Sequence, residues 1–155
     1  MGFSVSLYSH PYIGNYIENK DCHQYNPGYS FYHFVSSLER FGEESILIQS
    51  GRYFGLDLSS FAKLVYTWDE VTEDYIQNNL QDAAFLHNLA LNFLNGLESD
   101  KSCFNKMTYK DNDSNPYDWD QYFNRGQVQK DLTNLIKGIE CYVKQGRTKV
   151  YLTAG

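Results

Sequence analysis

An α+β fold, a small sheet including the N- and C-terminal strands packed against about four or five helices, is predicted by three features of this 155-residue chain. Apolar and polar residues alternate at period two near each end, in 3–8 and again in 148–152, as half-buried strands do. Between them, apolar residues recur at helical spacing in several segments. The composition, 42% hydrophobic and 21% charged with 3 prolines, is that of a globular chain. At this length, folding buries roughly 68–70% of the unfolded surface, so a core forms without staples. There is no internal repeat, low-complexity tract or linker, and residues 1–155 read as one domain.

The elements follow in order. Phe3, Val5 and Leu7 give the first strand its apolar side. Residues 9–28 are irregular and close on Asn26-Pro27-Gly28, a turn signal. A helix fits 29–41, with Phe31, Phe34, Val35, Leu38 and Phe41 on one face and Gly42 at its end. Residues 45–49 form an apolar run that suits strand or helix. Asp57 or Ser59 can cap a helix carrying Phe61, Leu64, Val65 and Trp68. Thr72 can cap another, with Glu73 and Asp74 in its first turn and Val71 stapled to Ile76. Its apolar stripe takes in Ile76, Leu80, Ala83, Ala84, His87, Leu91 and Leu94, up to Gly96. The last helix spans 127–145, burying Val128, Leu132, Leu135, Ile136, Ile139 and Val143, and Gly146 ends it before the closing strand.

Charge is unevenly spread. Residues 1–120 carry 7 Lys/Arg against 17 Asp/Glu, whereas 121–155 carry 6 against 2. No cation stands between Lys63 and Lys101, a stretch holding Asp69, Glu70, Glu73, Asp74, Asp82, Glu98 and Asp100. Nucleic acid is therefore not the expected partner, because phosphate neutralisation needs Lys and Arg. A protein with a basic cleft fits better, since complementary charge speeds and orients encounter. Aromatic residues make up 17% of the chain, including 14 tyrosines, and so many hydroxyl-bearing rings imply some at the surface, where they serve recognition.

The most biased stretch is DNDSNPYDWD, residues 111–120. As a calcium loop it offers Asp111, Asp113 and Asn115 at the right offsets. Pro116 then stands where a glycine is required and Tyr122 where a bidentate glutamate is, so the EF-hand reading fails. Asp118, three residues before Gln121, reads instead as the N-cap of a short helix through Phe123, with Asp120 beside the helix dipole. Asp111, Asp113, Tyr117 and Trp119 are left as partner-binding candidates, with Trp68, Asp69 and Glu70 as a second patch.

No GxSxG, P-loop, HExxH or GxGxxG motif occurs. An enzyme would have to draw on His10, Cys22 and His23 in the irregular segment; no catalytic residue, metal or cofactor is expected. His33 is read as solvent-facing and His87 as a satisfied core histidine. The 3 cysteines are widely spaced, and Cys141, on an apolar helical stripe, reads as a small core hydrophobe. The opening MGFSVSLYSH has neither a basic n-region nor a long apolar run, so no signal peptide or membrane span is expected, and a reduced, cytoplasmic protein is. Ser6 completes a formal myristoylation pattern, against which the strand alternation stands.

The initial strand GFSVSLYS, the aromatic helix FYHFVSSLERFG and the last helix running into a strand, DLTNLIKGIECYVKQGRTKVYL, together resemble small immunity proteins of bacterial polymorphic and contact-dependent toxin systems. The resemblance covers the two ends, less than half the chain, and lends no residue. It implies a cytoplasmic inhibitor that blocks a cognate toxin's active site with an acidic, aromatic-bearing surface. A phage-encoded inhibitor of a host defence complex would need the same surface.

Overall fold

The computed structural model of the chain describes residues 5–10, 22, 24–36, 39–40, 43–64, 68–69, 74–75, 81–107 and 119–154. Among them are seven strands: β1 (Val5–His10), β2 (Glu39–Arg40), β3 (Glu43–Glu44), β4 (Trp68–Asp69), β5 (Asp74–Tyr75), β6 (Gln81–Asp82) and β7 (Lys149–Ala154). Six helices accompany them: α1 (Tyr29–Ser36), α2 (Ile46–Phe54), α3 (Ser59–Leu64), α4 (Ala83–Ser99), α5 (Trp119–Asn124) and α6 (Gln127–Lys144). The architecture is α+β, as the alternation near the two ends predicts.

The main sheet has the order β1-β7-β6 and is antiparallel throughout. β1 and β7 pair along six residues, from Val5 opposite Ala154 to His10 opposite Lys149. Val5, Leu7, Val150 and Leu152 are buried, and α6 packs across β1. Gly138 makes that approach possible: a Cβ there would lie 3.1 Å from Leu7 Cδ2. The Tyr142 hydroxyl, buried at the same junction, donates to the Leu7 carbonyl at 2.6 Å. A buried tyrosine needs such an acceptor to offset the loss of water.

The rest of the core is aromatic. Phe34 meets Phe31, Phe93, Tyr122 and Phe123 at centroid distances of 5.7–6.4 Å, and Phe104 stacks on Phe123 at 4.3 Å. These rings draw α1, α4, α5 and the 3₁₀ turn Cys103–Lys106 together. Edge-to-face and offset pairs contribute about 0.5–1.5 kcal/mol each beyond burial.

Several boundaries differ from the sequence expectation, each for an identifiable reason. α1 stops at Ser36, and Glu39–Arg40 pair with Glu43–Glu44, which a helix continuing to Phe41 cannot do. The ambiguous run at 45–49 is helical because Ser45 caps it, its hydroxyl accepting from the Ile48 N–H at 3.2 Å. α3 begins where Asp57 Oδ1 accepts from the Ser59 N–H at 3.1 Å, and it ends at Leu64, leaving Trp68 in a strand. The helix expected from Thr72 starts at Ala83. Asp74–Tyr75 and Gln81–Asp82 are strand residues, and the Asp82 carboxylate caps α4 by accepting from the Phe85 N–H at 3.1 Å. Gly96 does not end this helix. It lies within it, where a Cβ would stand 2.7 Å from the Phe54 ring.

The rotational phase of α4 also differs. Ala83, Leu86, Leu89, Ala90, Phe93 and Leu97 are its buried residues, whereas Ala84 and Leu91 face outward. On α6, Val143 is 48% exposed rather than buried, while the rest of the expected stripe is in the core.

Candidate partner-binding surface

The two patches singled out in the sequence lie on different elements. Asp111, Asp113, Tyr117 and Glu70 fall outside the described residues, as do Asn115, Pro116 and Asp118. Trp119 is the first residue of α5. Trp68 and Asp69 form β4, and the antiparallel register sets Trp68 opposite Tyr75 and Asp69 opposite Asp74. A short pairing thus brings two aromatic residues to one register position and two acidic residues to the next. Like charges directly opposite on neighbouring strands destabilise the pair. No lysine or arginine occurs from residue 64 to residue 100 to offset this locally.

A second polar surface, which sequence reading missed, joins α2 to the turn after α4. The Tyr53 hydroxyl donates to Asp100 Oδ2, and Lys106 Nζ donates to the Tyr53 oxygen at 3.1 Å. Ser102 Oγ donates to Asp100 Oδ1 at 3.1 Å. The Tyr53 hydrogen bond holds the Asp100 carboxyl below its ordinary range and the Lys106 ammonium above its own. The group is exposed and fully partnered, and it pins the 3₁₀ turn to α2. Its neighbour Cys103 is buried, and burial, reinforced by the Asp100 charge, pushes that thiol up to about 11, so it is inert as a nucleophile at neutral pH.

The enzyme reading loses its sulfur nucleophile. Cys22 and Cys141 are joined by a disulfide, with Cα atoms 5.5 Å apart and a sequence separation of 119. This corrects both the reading of Cys141 as a small core hydrophobe and that of a reduced chain. Cys141 lies on the half-buried flank of α6, where it meets Cys22. Their spacing offers no hint of the bond, because the partners meet only through the fold. His10 ends β1, and His23 is outside the described residues. His33 is half-buried, its ring edge-on to Tyr32 at 5.7 Å, rather than solvent-facing. His87 sits at the surface of the α4–α6 contact, its Nε2 2.9 Å from Glu140 Oε1, so it is satisfied but not in the core.

One buried carboxylate was also missed. Asp131, 2% exposed, accepts from the Tyr122 hydroxyl at 2.7 Å, from the Gly28 N–H at 3.1 Å and from Gln127 Nε2 at 3.3 Å. Burial, with the Asp131 charge and hydrogen bond, raises the Tyr122 phenol well above its ordinary range. Asp131 therefore clasps α5 and the turn before α1 onto α6 and is structural. A cavity of about 210 Å³ is lined by Glu98, Lys101, Phe123, Asn124, Gly126 and Gln129. Among the described residues no three His, Cys, Asp or Glu side chains gather as a metal ion would need, and no helix is long and apolar enough to cross a membrane. No protein-family model, curated protein or solved structure matches the chain.

Proposed function

We propose that the chain is a stoichiometric protein-binding inhibitor, an immunity protein that neutralises a cognate bacterial toxin by occluding its active site. The observation that carries this reading is the β4–β5 register, Asp69 opposite Asp74 beside Trp68 opposite Tyr75. A like-charge pair costs the free protein about 0.2–1 kcal/mol. A cation supplied by a partner offsets that cost, and the adjacent aromatic residues are of the type that anchors interfaces. Asp111, Asp113, Tyr117 and Trp119 are assigned to the same basic partner, along with Glu70.

The test separates binding from folding. The partner is first captured from the producing strain and identified by mass spectrometry. Asp69→Lys then places opposite charges at the register position. Its melting temperature is expected to hold or rise by a few degrees, while affinity for the captured partner falls at least tenfold, about 1.4 kcal/mol. Asp111→Lys is expected to weaken the complex and leave the melting temperature unchanged. Unaltered affinity in both variants would remove these carboxylates from the interface.

The compartment turns on Cys22–Cys141. Disulfides persist where the surroundings oxidise, so the bond favours such a compartment over the cytoplasm expected from the sequence. Thiol labelling in the producing cells decides it: a fully labelled pair returns the protein to the cytoplasm.

A further inference from the structure

The cavity between the end of α4 and the start of α6 holds an unanswered acceptor. Gln129 is half-buried, yet its Oε1 is shielded from solvent and accepts no hydrogen bond among the described residues. A buried carbonyl oxygen without a donor costs free energy, and native structures leave few of them. Its isolation has a local cause. Gln129 is the third residue of α6, where a glutamine ordinarily reaches back to the N–H of the N-cap. Here the N-cap is Gly126, whose φ of 73° is left-handed instead of extended, and no side chain caps the helix. Gln129 Oε1 stands 4.0 Å from where a Gly126 Cβ would be, and both residues line the cavity. Glu98 and Lys101 add one charge of each sign to the lining, 3.8 Å apart and both largely exposed. Phe123, buried and stacked on Phe104, gives it an apolar wall.

We propose that this cavity binds a small free α-amino acid in its zwitterionic form. Size bounds the ligand first. At roughly 30 Å³ for each water-sized group, a volume of about 210 Å³ holds about seven of them, fewer than a drug-sized ligand has. Hydrogen bonding then fixes one end. An ammonium group carries three N–H donors, which answer Gln129 Oε1 and the Glu98 carboxylate together. Charge fixes the other. A cation alone would leave Lys101 facing its own sign, and an anion alone would face Glu98 and the Gln129 oxygen. A carboxylate beside the ammonium meets Lys101 and the N-terminus of α6, whose first turn holds no acidic residue. The Glu98–Lys101 pair is exposed and contributes little to the free protein, so a ligand that rearranges it loses little. A short apolar side chain has Phe123 to pack on. The site shares no residue with β4–β5, so ligand binding and partner binding hold or fail separately.

Titrating the isotope-labelled protein with L-alanine by NMR tests this, read from the Gln129 side-chain amide and the Gly126 backbone N–H. Both signals are expected to shift saturably, with a Kd of about a millimolar. Ethylammonium lacks the carboxylate and propionate the ammonium, and each is expected to bind at least roughly tenfold more weakly. Gln129→Met keeps the length of the side chain and removes the amide. Read at Gly126, it is expected to lower L-alanine affinity about tenfold while the melting temperature holds or rises, because an unpaired buried oxygen has gone. Lys101→Ala is expected to bring L-alanine down to the affinity of ethylammonium. The absence of a saturable shift at either signal, up to a concentration roughly a hundredfold above the expected Kd, would overturn the proposal. So would ethylammonium or propionate binding as tightly as L-alanine, or a Gln129→Met variant that keeps the wild-type affinity.

Discussion

Asp131 shows how much one side chain can organise without touching a ligand. Three donors converge on it from α5, α6 and the turn before α1. Replacing it with alanine leaves a buried hydroxyl and a backbone N–H short of an acceptor, and we expect Asp131→Ala to lower the unfolding free energy by about 3 kcal/mol in urea titration. Tyr122 adds a pH signature. Its folded pKa lies above the ordinary 10.0, so the folded state holds the proton more tightly than the unfolded chain. The stability this lends is complete below about pH 10 and is lost as pH rises beyond it. Tyr122→Phe is expected to flatten that alkaline fall, at a cost of about 1 kcal/mol at neutral pH. Nothing in the sequence marks Asp131, which reads as one polar residue on a helix; its donors at 28 and 122 are brought in by the fold.

Among the elements, α6 was legible nearly residue for residue, because a long helix with one apolar stripe announces itself locally. The segment leading into α4 was not. Its apolar residues keep helical spacing from Ile76 onward, but Gln81 and Asp82 pair with Val150 and Lys149, and no local pattern reports a partner so far downstream. That pairing leaves Asp82 to cap the helix, while Lys149 Nζ approaches its carboxylate at 4.0 Å. The phase error on α4 is partial: the expected stripe took in Ala83 from the buried face, His87 and Leu94 from its half-buried edge, and Ala84 and Leu91 from the exposed side. Gly96 was taken for a terminator when its role is space. In Gly96→Ala the new Cβ would press on Phe54, whose ring is held between Tyr53 and Phe93. We expect a net loss of about 1–2 kcal/mol by thermal denaturation, despite alanine's better helix propensity.

For the molecule as a whole, the candidate site was less legible than the fold. The acidic and aromatic bias could be read from composition, but only the β4–β5 register turned it into a placed pair of positions. The Cys22–Cys141 bond closes a loop across a sequence separation of 119. Replacing both cysteines with serine is expected to lower stability by about 2–5 kcal/mol, measured by chemical denaturation, with partner affinity intact. The sheet order has a consequence for how the protein comes into being. β7, the strand that both β1 and β6 require, is the last of the three to be synthesised. On the ribosome β1 and β6 wait as unpaired edges until residues 149–154 have emerged, so the nascent chain passes through an aggregation-exposed interval that ends only when its centre is supplied.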